Sequence, residues 1–254
     1  MTSSGAPFSN AARNLRQLGN SPVTWGFAAI ILAIELLVTL AGGRDTQPAR
    51  SWYDMLGLAR GEFLAGKVWQ ILTYGFLHGG WVHVALNAVF ILLIGSRIEH
   101  MVGRKGLVIA TLAGVLGGGI CHLILAPGGT GSPLLVGISG GCMALLLLLT
   151  TLSPQSRMMP LPVSGRSLGL GILLAALLLA LMNPALGIPG LSMLGTLLVD
   201  SGFGIWFEMG HACHFGGGLA GWIVGRWILR PRITLERLRR DRVRREANGS
   251  QRLG

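Results

Sequence analysis

Six apolar runs alternate with polar stretches along the chain, at residues 23–41, 81–98, 107–126, 138–152, 168–186 and 213–229. They are 15 to 20 residues long, against the roughly 20 that carry a helix across a bilayer. Between Leu107 and Val199 the only charged side chains are Arg157 and Arg166, and no soluble core needs so long an uncharged stretch. The pattern predicts an all-α polytopic membrane protein: a leader over residues 1–22, a six-span bundle over 23–229, and a basic tail over 230–254. The first run follows a leader with Arg13 and Arg16, as a signal peptide would. The run is long and no small-x-small cleavage site follows, so it reads as a retained span.

Composition supports this reading. Of the 254 residues, 51% are hydrophobic and 12% charged, against about 25% charged in soluble domains, and the mean hydropathy is +0.59. Disorder is excluded on the same ground, and the length suits one compact membrane domain. The net charge of +11 is uneven, with ten of the 21 basic residues at or after Arg226. Such a tail could grip nucleic acid or an anionic lipid surface. Directly after a span it is better explained as a cytoplasmic retention signal, so no nucleic-acid partner is expected. Placing both termini on one side leaves Arg44, Arg50, Arg60 and Lys67 on the other, against seventeen basic residues on the first. Both termini are therefore expected in the cytoplasm. Cys121, Cys142 and Cys213 fall in apolar runs and read as small buried residues rather than disulfide partners.

Two connections stand out. Residues 42–80 mix Trp52, Tyr53, Trp69, Tyr74 and Phe76 with few charges, which predicts short amphipathic pieces in the interface, with Trp and Tyr at headgroup depth. Residues 183–210 carry Pro184, Gly187, Pro189, Gly190, Gly195, Gly202 and Gly204, which predicts irregular, mobile backbone suited to a lid. Glycines recur every four residues at Gly217, Gly221 and Gly225, at Gly137 and Gly141, and at Gly114 and Gly118. Small residues at that interval let helices approach closely in a membrane, here the fourth span and the sixth.

Polar groups at membrane depth are costly and mark candidate chemistry. Ser139 lies in Gly137-Ile138-Ser139-Gly140, with little bulk around it and a helix N-terminus to offer amides to an oxyanion; alone, it could equally be a packing serine. His214 begins the sixth span, and the glycine contact could bring it within reach of Ser139 as a general base. Asn87 and His83, four residues apart, share a helix face. They could supply donors to an oxyanion or simply bond two helices together.

These residues carry a family resemblance. The stretch Val68-Trp69-Gln70-Ile71-Leu72-Thr73-Tyr74-Gly75-Phe76-Leu77-His78-Gly79-Gly80-Trp81-Val82-His83-Val84-Ala85-Leu86-Asn87, then Gly137-Ile138-Ser139-Gly140, then His214-Phe215-Gly216-Gly217, resembles the rhomboid intramembrane serine proteases in order and spacing. The resemblance implies Ser139 as nucleophile, His214 as base and later acid, and Asn87 and His83 with the Ser139 amide as the oxyanion hole. It makes Glu99 structural and His78 a loop histidine outside the reaction. The substrates it implies are transmembrane helices in the lipid bilayer, with neither metal nor cofactor. Short termini fit a bacterial plasma-membrane enzyme. Two positions depart from the family: Gln70 stands where arginine is common after the tryptophan, removing any ion pair, and Met143 stands where an aromatic is frequent.

Asp200 and Glu208 precede His214 in a loop and Glu35 lies on the first span, so a Ser-His dyad is expected. Rival readings are a catalytically silent rhomboid-like protein that binds or escorts membrane helices, and a metalloenzyme using His211, Cys213 and His214 with His83 and His78. A transporter with Glu35 as a proton site is a third. The chain keeps both dyad residues, lacks a His-Glu-x-x-His motif and shows no inverted repeat, which disfavours all three.

Overall fold

The computed structural model describes residues 16–127, 134–157, 162–230 and 235–250; most of the leader and the last four residues lie outside them. The described residues are mostly helical, without a strand and with only the isolated bridges Leu58–Leu135 and Arg157–Ser164.

Helix α1 (Pro22–Leu40) starts with proline, whose missing N–H costs nothing at that position. Its free amides find a partner far away in sequence. Val23 N and Thr24 N donate to the buried Glu99 carboxylate at 3.2 and 2.9 Å, and Thr24 Oγ1 adds a 2.7 Å bond. A carboxylate over a helix N-terminus meets both orphan donors and the positive end of the dipole. At the other end Trp81 Nε1 donates to Thr39 Oγ1 at 3.0 Å. These two clamps make α1 antiparallel to the helix that Trp81 begins.

Between α1 and that helix lie three short helices, α2 (Ala49–Leu56), α3 (Arg60–Leu64) and α4 (Gln70–Thr73). Trp52 and Trp69 are exposed here. Tyr53 and Tyr74 are buried within the protein. The reason is local: Tyr53 donates to the His78 carbonyl and Tyr74 to Val115 O, so both phenols are satisfied inside. Gln70, fully buried, receives Ala59 N–H on Oε1 at 3.3 Å and donates from Nε2 to Asp54 O and Met55 O. An amide thus ties down the loop where an ion pair would have been lost.

Helix α5 (Trp81–Phe90) runs through a π turn at Ile91–Gly95 into α6 (Ser96–Leu125). The loop expected near residues 99–106 shrinks to a break at Gly103, whose φ of 78° only glycine adopts freely. Both arms return to one place: His83 meets Gly79, and Gly119 packs against Tyr74.

Helices α7 (Ser139–Leu152), α8 (Gly165–Leu181) and, after a connection, α10 (His211–Ile228) complete the bundle. A methyl group on Gly217 would sit 2.2 Å from Gly140 O, and one on Gly221 2.1 Å from Ala144 O. Gly114 likewise faces Ala144, and Gly118 faces Cys213. The glycine stripes therefore let α6, α7 and α10 touch backbone to backbone. Outward faces carry Leu37, Val82, Leu86, Ile124 and Leu174 exposed, a surface matched to hydrocarbon rather than water.

The helices at Pro22–Leu40 and Trp81–Leu125 are long and apolar enough to cross a membrane, while the apolar helices Ser139–Leu152 and Gly165–Leu181 are shorter. The segment expected to be irregular, residues 183–210, is mostly helical: a turn at Pro184–Leu186, α9 (Leu191–Leu198), a π turn at Val199–Phe203 and a 3-10 turn at Gly204–Glu208. Gly187, Gly190 and Gly202 bend the chain with positive φ, while Gly195 lies inside α9, where a methyl would meet Met182 O. In the tail, α11 (Leu235–Ser250) is a separate helix.

Candidate functional site

Ser139 is the first residue of α7 and His214 lies in the first turn of α10. Because Gly217 seats directly on Gly140, these two helix starts are held side by side. Ser139 Oγ lies 3.0 Å from His214 Nε2. With the imidazole proton on Nδ1, the hydroxyl donates to Nε2, the relation a base needs to take the serine proton. Among the described residues no carboxylate bonds to His214.

Beside this pair, backbone and side chains outline a small polar space. Gly137 has φ +109°, and its N–H is fixed to Tyr74 O at 2.9 Å. A point one carbon out from its Cα falls 2.8 Å from His83 Nε2 and 3.6 Å from Asn87 Nδ2. Gly79 N–H donates to His83 Nδ1 at 3.2 Å. In the neutral ring that leaves the proton on Nε2, aimed at the same space. Asn87 Nδ2 is buried and has no partner. Two donors thus converge above Gly137 without having spent their protons elsewhere, next to the start of α7.

The pair opens on a cavity of about 1090 Å³, lined by Trp81, His83, Phe90, Met143 and His122 among others, and on one side by Ile205, Phe207 and Met209 of the segment before α10. That segment is tied to α10 by the 2.6 Å contact of His211 Nε2 with Trp206 O. Met143 lines the cavity at the position where the resemblance suggested an aromatic.

The remaining candidates go elsewhere. Glu99 caps α1, and Glu35 is buried in α1. His78 is buried in the turn ahead of α5, 5.1 Å ring to ring from His83. Burial, with the neighbouring His83 next, pushes its pKa down to about 4, so it is neutral. The proposed metal set does not converge: His211 bonds Trp206 O, Cys213 Sγ faces Tyr74 Oη at 3.6 Å, and His214 faces Ser139. Two contributors escaped the sequence reading. Gly137 clears the polar space as well as bending the chain, and Cys142, taken as a packing residue, touches Asn87. A positive-φ requirement beside a serine hints at the former, and nothing in the sequence signals the latter.

The Rhomboid domain family matches residues 65–231. Among curated relatives, human Rhomboid-related protein 3 is 37% identical over 83 residues, 33% of this chain and 20% of that protein. Rhomboid protease GlpG of Klebsiella pneumoniae is 26% identical over 108 residues, 42% of this chain and 37% of that protein. Rhomboid protease GluP of Bacillus subtilis is 27% identical over 114 residues, 44% and 22% respectively. The matched stretches thus span well under half the length of these relatives.

Proposed function

Because this chain belongs to the rhomboid family, we propose that it is a serine endopeptidase that hydrolyses peptide bonds in or near the transmembrane segments of other membrane proteins. The observation that carries the reading is the 3.0 Å approach of Ser139 Oγ to His214 Nε2 beside two unspent donors.

Ser139 attacks the scissile carbonyl while His214 takes its proton. The oxyanion that forms lies above Gly137, where His83 Nε2–H and Asn87 Nδ2 donate to it, together with the Ser139 amide at the N-terminus of α7. His214 then gives its proton to the leaving amine, and water releases the acyl group by the same relay. No carboxylate takes part, so the reaction runs on a dyad. A helical substrate hides its carbonyls in its own hydrogen bonds, so segments with Gly or Pro near the cut are favoured. Substrate reaches the cavity past residues 205–210, which form one of its walls.

The bundle crosses the membrane six times with both termini cytoplasmic, in a bacterial plasma membrane. This topology rests on the six apolar runs and the distribution of Lys and Arg. The test is hydrolysis of a reporter transmembrane segment with a central Gly-Pro pair, in liposomes with added chelator. Cleavage that persists with chelator and stops in Ser139→Ala and in His214→Ala supports the reading. No cleavage by the folded protein, with retained binding of the segment, favours a silent rhomboid-like protein that holds membrane helices.

A further inference from the structure

The Asn87 side chain can donate to an oxyanion only if its amide faces the cavity the right way round. Oxygen and nitrogen of a carboxamide have nearly the same shape, so a hydrogen-bond partner must decide between the two orientations. That partner is a thiol. Cys142 is buried, 2% exposed, and its Sγ lies 3.6 Å from Asn87 Oδ1 and 3.9 Å from Asn87 O. A thiol donates, if weakly, and accepts poorly. It therefore favours Oδ1 toward itself and leaves Nδ2, buried and without a partner, facing the space above Gly137. The flipped amide would set NH2 against the thiol and aim a carbonyl oxygen at the place where negative charge develops.

We infer that Cys142 is a positioning residue that orients the Asn87 carboxamide for the oxyanion. It stands three residues after Ser139, on the same turn and face of α7. The helix that presents the nucleophile therefore also sets a donor on α5, and any shift between α5 and α7 would disturb both. The catalytic meaning of this contact rests on the proposed serine-protease reading, but the contact itself does not.

The test uses the full chain in detergent and a fluorophosphonate probe, separating probe affinity (Ki) from the rate constant of phosphonylation (kinact). Cys142→Ala should lower kinact about three- to tenfold, the worth of one modest hydrogen bond, with Ki unchanged. Cys142→Ser, which keeps a donor, should recover most of the loss. In an Asn87→Ala background, Cys142→Ala should change kinact by less than about twofold, because the two act through one group. An unaffected kinact in Cys142→Ala, or an equal loss with and without Asn87, overturns the inference. The S–H stretching band of Cys142, isolated in a Cys121→Ala and Cys213→Ala protein, reads the contact without chemistry. It should rise in wavenumber on Asn87→Ala, and a band that does not move overturns the inference. If the wild-type serine does not label while the band does move, the protease reading fails and the oriented amide stands.

Discussion

Gly137 does three things that no other residue could combine. Its φ of +109° disfavours any side chain, its N–H is fixed to Tyr74 O, and the volume a methyl would fill lies 2.8 Å from His83 Nε2. Gly137→Ala should therefore keep the bundle folded yet cut turnover by about 10² or more, on the scale of losing an oxyanion donor. Reporter cleavage beside a thermal melt checks this, and an active Gly137→Ala protein would displace the oxyanion from that space. His78 makes a prediction of a different kind. Its pKa is pushed down to about 4 in the fold, from 6.5 when exposed. The unfolded chain binds the proton first as pH falls, so the stability gained by keeping His78 neutral is full above pH 6.5 and is lost progressively between 6.5 and 4. In His78→Gln, the fall in Tm over that window should be shallower than in the native protein. Equal slopes would mean that His78 is solvated. At this scale the adjacency of Ser139 and His214 was legible because the spaced glycines of α10 draw it against α7. Cys142 was not, since a thiol meeting an amide depends on how α5 and α7 approach, and neither sequence neighbourhood encodes that approach.

Among the helices, the glycine stripes position the site. Gly217 and Gly221 seat α10 on α7 with no room for a methyl, whereas Gly171 on α8 has nothing within 4 Å of its missing Cβ. Gly217→Ala should cost about 1–3 kcal/mol through overpacking, and Gly171→Ala should gain about 0.5–1 kcal/mol from helix propensity. Thermal unfolding in one detergent compares them directly, and matching shifts would deny the stripes their structural role. The four-residue spacing made these contacts readable from sequence alone. The helical pieces within residues 183–210 were missed because Gly and Pro looked like breakers throughout, while in the fold most of them mark joints and Gly195 packs inside α9. The inward packing of Tyr53 and Tyr74 was not legible, because hydropathy cannot foresee that backbone carbonyls will satisfy a phenol.

For the molecule as a whole, apolar runs and charge distribution establish the class and point to an orientation. With seventeen of 21 basic residues assigned to one side, a reporter enzyme active only outside the cytoplasm should be silent when fused after Gly254 and active when inserted at Gly66. The opposite result would invert the topology and put the cavity on the wrong face. Helix bounds were legible to a few residues: the runs over 138–152 and 168–186 became Ser139–Leu152 and Gly165–Leu181.

Activation of Ser139 by His214 alone can be tested by covalent labelling, which needs no known substrate. The purified native protein should react with a fluorophosphonate probe in the presence of chelator, while Ser139→Ala and His214→Ala should both remain unlabelled. Absence of labelling in a folded native protein, or labelling that survives either substitution, would rule out a Ser139–His214 dyad.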